Sequence, residues 1–344
     1  MDILRFLTAG SVDDGKSTLI GRLLYDSKSI LADQLEALEK QSKNKNANGV
    51  DLAILTDGLR AEREQGITID IAYRYFATPK RKFIIADAPG HIQYTRNMIT
   101  GASNSQLIII LIDARQGVIE QTKRHSIIAS LLKMKNIVVA VNKMDLVDYS
   151  EDVFNKIKAD YHQVAETLGL ENVDYFPISA FYGDNIVEKS QNMPWYNGQT
   201  LLNFLENVEV SDFTDYENAR FQVQYVIRPQ TDELHDYRGY AGQIMSGTYK
   251  KGDKITILPQ NIDTIISKVE TAGNEVDEVF ALQPAVIHIE DDIDISRGDF
   301  FVKTDNQPQV ENEIEALVCW MDKRELHEGN KYFLQQRSKI VRAI

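Results

Sequence analysis

Gly10, Gly15, Lys16 and Ser17 stand in the stretch GSVDDGKST at the spacing G-x-x-x-x-G-K-[ST], between the apolar run ILRFLTA and the helix-like TLIGRLLYD. These residue types at this spacing suit a phosphate cradle. The glycines let backbone N–H groups turn inward onto anionic oxygens, the lysine neutralises the outer phosphates, and the Ser17 hydroxyl can hold Mg²⁺. The candidate cradle runs through Gly10, Ser11, Val12, Asp13, Asp14, Gly15, Lys16, Ser17 and Thr18. Asp13 and Asp14 either adjust the loop or are simply solvated. The loop alone does not choose ATP over GTP.

The choice of base falls to NKMD, which follows the apolar run IVVAV. The Asp145 carboxylate can accept both the N1–H and the exocyclic N2–H of guanine, a bidentate contact that adenine cannot offer. Asn142 is expected to brace the loop and reach the base, and the Lys143 stem to lie over its face. The segment Ser179, Ala180, Phe181, after DYFPI, is placed for a backbone N–H to meet the guanine carbonyl. Two further segments fit a phosphate sensor. In DAPGH, Asp87 is the candidate outer Mg²⁺ carboxylate, Gly90 offers its N–H to the terminal phosphate, and His91 can orient an attacking water. In EREQGIT, Thr68 can meet Mg²⁺ and the γ-phosphate only when a triphosphate is bound. The candidate catalytic set is therefore Lys16, Thr68 and His91, and the candidate metal set Ser17, Thr68 and Asp87.

These residues need a scaffold that gathers loops at one edge. The runs ILRFLTA, KFIIAD, QLIIILID and NIVVAVNK are apolar throughout rather than alternating, which predicts strands buried on both faces, as in a parallel sheet. QTKRHSIIASLLKMK, with Ile127, Ile128, Leu131, Leu132 and Met134 near helical spacing, and EDVFNKIKADYHQVAETLGL, ending at Gly169, predict covering helices. The expectation is an α/β P-loop GTPase domain, doubly wound with a mostly parallel sheet, over residues 1–210. SDFTDYENA reads as a linker. Short alternating segments over 216–308 then predict an antiparallel β-barrel. Two more strand candidates, IEALVCWM and KYFLQQRS, predict the beginning of a further, truncated β-barrel over 309–344. SKNKNANG, at 42–49, reads as a mobile loop, and ILADQLEALEK as helical.

Composition narrows the function class. Lys plus Arg number 38 against 51 Asp plus Glu, a net charge of −13, which argues against a protein dominated by nucleic-acid phosphate contacts. The single cysteine, Cys319, excludes an internal disulfide and fits a reducing cytosol. The first strand runs straight into the Gly-rich loop, leaving no room for a signal peptide, and LIIILI is too short to span a membrane. A cytoplasmic location is expected.

Taken in order, the five motifs resemble those of the translational GTPase superfamily that includes elongation factor Tu. GSVDDGKSTLIGRLLYD, TDGLRAEREQGITIDIAYRYF, DAPGHIQYTRNMITGAS, DARQGVIEQTKRH and NKMD together are similar to the GTPase subunit of bacterial sulfate adenylyltransferase. The resemblance implies a GTP/GDP-binding domain followed by two β-barrels, in a heteromer with a smaller adenylyltransferase subunit. In that family the partner carries the ATP and sulfate chemistry, and the GTPase chain supplies GTP hydrolysis to drive it. The rival expectation is a translation factor delivering aminoacyl-tRNA with GTP as timer. It shares every guanine and phosphate contact and parts from the first at the switch segments and in the partner.

Overall fold

The structure is a computed structural model that describes residues 3–28, 70–91, 94–210, 215–229, 237–316, 318, 320, 322 and 324–344. Thr68 with the whole EREQGIT motif, Cys319, the SKNKNANG loop and ILADQLEALEK lie outside the described residues. The chain divides into two compact units, Met1–Val210 and Ser211–Ile344.

The first unit is built on one sheet of six strands: β1 (Ile3–Ala9), β2 (Ala72–Ala77), β3 (Lys82–Asp87), β4 (Leu107–Asp113), β5 (Asn136–Asn142) and β6 (Asn172–Pro177). Their order across the sheet is β2-β3-β1-β4-β5-β6. All neighbours run parallel except β2, which pairs antiparallel with β3 at the edge. Every residue of β4 is buried, because both faces are covered. Leu107, Ile109 and Leu111 pack into one core with Leu19, Leu23 and Phe204, while Ile108, Ile110 and Ile112 pack into a second with Met98, Phe154 and Ile157. A run that looked uniformly apolar is thus an alternation between two cores. Burying each such side chain contributes about 1.5–3 kcal/mol, which holds the loops at the strand ends to a fixed frame.

Among the described residues five helices cover the sheet: α1 (Lys16–Asp26), α2 (Thr95–Ala102), α3 (Glu120–Leu131), α4 (Glu151–Leu168) and α5 (Leu201–Asn207). The α4 boundaries follow from local chemistry. The Ser150 hydroxyl accepts the Val153 N–H at the start, and Gly169 ends the helix at φ 65°. For α3 the periodicity finds the helix but misplaces its inner face. Ile127 and Leu131 are 44% and 43% exposed, whereas Gln121, Thr122, His125 and Ser126 join Ile128 inside. Polar side chains take inward positions there because each finds a partner: Ser126 bonds the buried Tyr161 hydroxyl at 2.9 Å, and Gln121 meets His125 at 3.1 Å. The antiparallel edge strand β2 was not read from the sequence, since its exposed positions include Tyr73 and Tyr75 and a less exposed one carries Arg74, so residue type does not mark the inner face.

In the second unit six strands close into an antiparallel ring. From Lys254–Leu258 it passes to Phe300–Lys303, Arg220–Gln222, Gly239–Ser246, Pro284–Ile289 and Ile262–Thr271, which pairs back with Lys254–Leu258. Phe221, Tyr240, Ile255, Ile266, Ile287 and Phe301 fill the barrel. Beyond it, KYFLQQ forms a strand, Tyr332–Gln336, paired with Lys339–Ala343. Its expected companion IEALVCWM is not a strand at its described residues. Ile314 and Val318 are exposed and have no neighbouring strand to complete a ladder, and the hairpin partner is instead KIVRA.

Candidate nucleotide site

Every described candidate residue lies at or just past the carboxyl end of a strand, Asp87 and Asn142 being the last residues of β3 and β5. GSVDDGKS follows β1, Ala88 to His91 follows β3, Lys143 to Asp145 follow β5, and Ser179 to Phe181 follow β6. In the order β2-β3-β1-β4-β5-β6 the chain goes one way from β1 to β3 and the other way from β1 to β4. That reversal opens a crevice over the end of β1, where ligands of open α/β sheets bind.

The phosphate loop is shaped for anions. Gly15 precedes α1 at φ 94°, in the left-handed region, and no side chain caps the first turn of the helix, nor is an acidic residue present there. The N–H groups at the start of α1 therefore face outward without a side-chain acceptor. Lys16 curls back over the loop, its Nζ donating to the Gly10 carbonyl at 2.9 Å and the Ser11 carbonyl at 2.8 Å, with 7% of the residue exposed. Burial pushes the Lys16 ammonium down from its usual range, and the carboxylates of Asp87, Asp14 and Asp13 partly offset this. Gly90 comes so close that a Cβ on it would lie 2.5 Å from Lys16 Nζ, so the DAPG turn forms the opposite wall of the cradle.

Asp13 and Asp14 part company. Asp13 is exposed at φ 67°, whereas Asp14 is buried beneath the loop, its carboxylate accepting the Ser11 N–H at 2.5 Å. Burial pushes the Asp14 carboxyl up, against the Ser11 N–H and the Lys16 charge, which pull it down. Solvation is thus the answer for Asp13 only. Asp87 is also buried, and its carboxylate accepts the Thr8 hydroxyl at 3.1 Å. Among the described residues no group of three His, Cys, Asp or Glu side chains gathers around one point. His91 is half-buried, its ring 6.0 Å from that of Tyr94.

Asn142 ties the phosphate loop to the loops after β5 and β6. Its Nδ2 donates to the Asp14 carbonyl at 2.8 Å, and its Oδ1 accepts the Ala180 N–H at 2.9 Å. Ala180 thus already spends its amide on Asn142. Asp145 accepts the Ser179 hydroxyl at 2.6 Å, and that hydroxyl in turn accepts the Tyr182 N–H at 3.3 Å. Lys143 sits at φ 64° and its Nζ reaches the Asp113 carboxylate at 2.8 Å. Phe181 is 44% exposed.

Asp113 was not singled out from the sequence. It ends β4 as Asp87 ends β3, a buried strand finishing on a carboxylate, and that repeated position was the available signal. Burial favours its neutral form, but two bonds from the Arg115 guanidinium, at 3.0 and 2.6 Å, and the Lys143 ammonium outweigh it and hold the carboxyl well below the usual range.

Residues 1–226 match the elongation factor Tu GTP binding domain family. The chain is 52% identical over 342 residues to the bifunctional enzyme CysN/CysC of Mycobacterium tuberculosis, covering 99% of this chain and 56% of that protein. It is 52% identical over 343 residues to sulfate adenylyltransferase subunit 1 of Bacteroides fragilis, covering 99% and 71%. The chain therefore spans little more than half the length of the mycobacterial relative. Among solved structures, the Ski7 GTPase-like domain of S. cerevisiae, bound to GDP and inorganic phosphate, superposes with a TM-score of 0.58 at 19% identity, covering 88% of this chain and 75% of that one. That likeness bears on the fold. The crevice, its uncapped helix start and the match across nearly the whole chain agree, and the protein belongs to the sulfate adenylyltransferase subunit 1 family, built on an elongation factor Tu-type GTP binding domain.

Proposed function

We propose that this chain hydrolyses GTP to drive the formation of adenylylsulfate and pyrophosphate from ATP and sulfate, the second reaction being carried by a smaller adenylyltransferase subunit. The observation that supports it most directly is the Asn142 bridge. One side chain bonds both the phosphate loop and the loop after β6, so base and phosphate sites are set at a fixed separation. In this reading Lys16 and the N–H groups from Asp13 to Thr18 hold the phosphates. Asp145 reads the guanine edge with Ser179 fixing its carboxylate, and Lys143 lies along the base. Ser17 and Asp87, with Thr68, would hold Mg²⁺ together with oxygens from nucleotide and water. When bound, the ion would neutralise developing phosphate charge. Asp87 fits that role because it is fixed by Thr8 and faces the Lys16 cradle. His91 orients a water toward the γ-phosphorus, whose bond to the bridging oxygen breaks to give GDP and phosphate.

Residues 1–210 serve as the GTP-binding domain, 216–308 as a β-barrel, and 309–344 as the beginning of a third domain. No helix among the described residues is long and apolar enough to cross a membrane. A cytoplasmic site of action is part of the proposal.

Joining sulfate to an adenylyl group makes a high-energy mixed anhydride, so ATP and sulfate alone yield little product. GTP hydrolysis supplies the missing free energy. The test is the end-point yield of adenylylsulfate by the native complex, pyrophosphate left in place, with and without GTP, and again with Lys16→Ala. Coupling requires a yield beyond the uncoupled equilibrium that Lys16→Ala abolishes. Equal end points would reduce GTP to an activator, and stimulation by tRNA and ribosomes would favour the translation-factor reading.

A further inference from the structure

Arg22 lies on α1, six residues beyond Lys16 and outside the G-x-x-x-x-G-K-[ST] positions. Its guanidinium nevertheless reaches across to the loop after β6, where Nε donates to the Ala180 carbonyl at 3.3 Å and Nη2 to the Phe181 carbonyl at 2.5 Å. Asp26, one turn further along α1, holds the guanidinium from behind at 3.6 Å. Ala180 is also buried in the core beside Ile178, so the guanidinium adds a polar tie to apolar packing. Arg22 lines a cleft of about 590 Å³ with Tyr25, Tyr182 and Gly183, next to the loop it holds. On the loop's other side Asn142 accepts the Ala180 N–H. Ala180 and Phe181 are thus gripped from both flanks, by Asn142 through an amide and by Arg22 through two carbonyls.

From this geometry we propose that Arg22 is a positioning residue for base recognition. It fixes the loop Ser179–Phe181 to the helix whose first turn binds phosphate, and so sets how well guanine is read without touching the nucleotide. The inference rests on the guanine-site reading above. The planar guanidinium reaches the two carbonyls from two separate nitrogens, a fixed fork that a single ammonium does not reproduce. Loosening the loop would unseat Ser179 from Asp145 as well, because both bonds depend on the same turn.

The test compares two ligands on the intact protein: GDP, which needs both sites, and inorganic tripolyphosphate, which needs the phosphate loop only. Arg22→Met keeps the stem and removes the donors. It is expected to weaken GDP about tenfold or more while leaving tripolyphosphate within about twofold. Arg22→Lys should fall between. Should Arg22→Met fail to fold, Arg22→Lys with the same two ligands decides. Equal losses for the two ligands, or none, would overturn the role. Asp145→Asn, measured alongside, separates this from the reading beneath it. It should exchange a preference for GDP for one for xanthosine diphosphate. If it does and Arg22→Met spares GDP, the inference fails alone; if Asp145→Asn changes neither affinity, the guanine reading fails.

Discussion

Gly15→Ala tests whether the nucleotide site is held together where the Asn142 bridge crosses the phosphate loop. At φ 94° a residue with a Cβ pays about 1–2 kcal/mol for the left-handed conformation. The new Cβ would also lie 2.4 Å from Asn142 Nδ2, too close for any contact, so the amide must leave. With it go the bonds to the Asp14 carbonyl and from the Ala180 N–H, each contributing about 1 kcal/mol. The sum is about 3–4 kcal/mol. Because all three loops belong both to the fold and to the site, the quantity to measure is folding plus binding together, from denaturation in saturating GDP. The mechanism makes a second demand. Asn142→Ala alone should cost about 2 kcal/mol by losing the same two bonds, and adding Gly15→Ala to it should then cost only the backbone term, since the obstructing amide is gone. A loss under about 1 kcal/mol for Gly15→Ala, or strict additivity in the double variant, would refute the reasoning.

Two further outcomes are expected. His91→Ala should bind GTP nearly as the parent does but hydrolyse it much more slowly in single turnover, since a positioned water is needed only in the transition state; unchanged hydrolysis with the partner present would place the role elsewhere. Asp113→Asn should lower stability by about 2 kcal/mol at neutral pH through the loss of charged bonds from Arg115 and Lys143. The Asp113 carboxyl is depressed in the folded protein, so its contribution is present above the unfolded carboxylate range and fades as pH falls below it; the difference between parent and variant, followed by thermal unfolding, should therefore shrink below about pH 4.

The parallel strands and their covering helices were legible because both-face burial leaves a continuous apolar run, and the loops because their glycines and charges have few other uses at that spacing. The contacts that brace those loops were not legible in the same way. Arg22 and Ala180 are 158 positions apart, and Asp113 meets Lys143 from a neighbouring strand end, so no local pattern marks either pair. The inner face of α3 failed for a different reason. Periodicity counts apolar residues, and there Thr122, His125 and Ser126 go inside on hydrogen bonds while Ile127 and Leu131 stay out. The described residues of IEALVCWM, which form no strand, show the converse. Apolar composition marks a strand only where another strand is present to take its hydrogen bonds.

A chain of net charge −13 is an unexpected receptor for a polyanion, and the site's own electrostatics explain how it serves. At about 0.15 M salt the field of distant carboxylates fades within roughly 8 Å, so only the charges around the crevice count. Two of those, Asp14 and Asp87, are themselves buried carboxylates beside the phosphate loop. They would repel phosphate, yet they also offset part of the burial that pushes the Lys16 ammonium below its usual range. The Lys16 ammonium donates to the Gly10 and Ser11 carbonyls, so in the proposed reading phosphate binding exchanges neutral oxygens for charged ones. The attraction that remains after the acids are neutralised comes from groups that cannot be titrated, the N–H donors at the uncapped start of α1. In the proposed reading, affinity for phosphate is carried by backbone shape, at Gly15 and the start of α1.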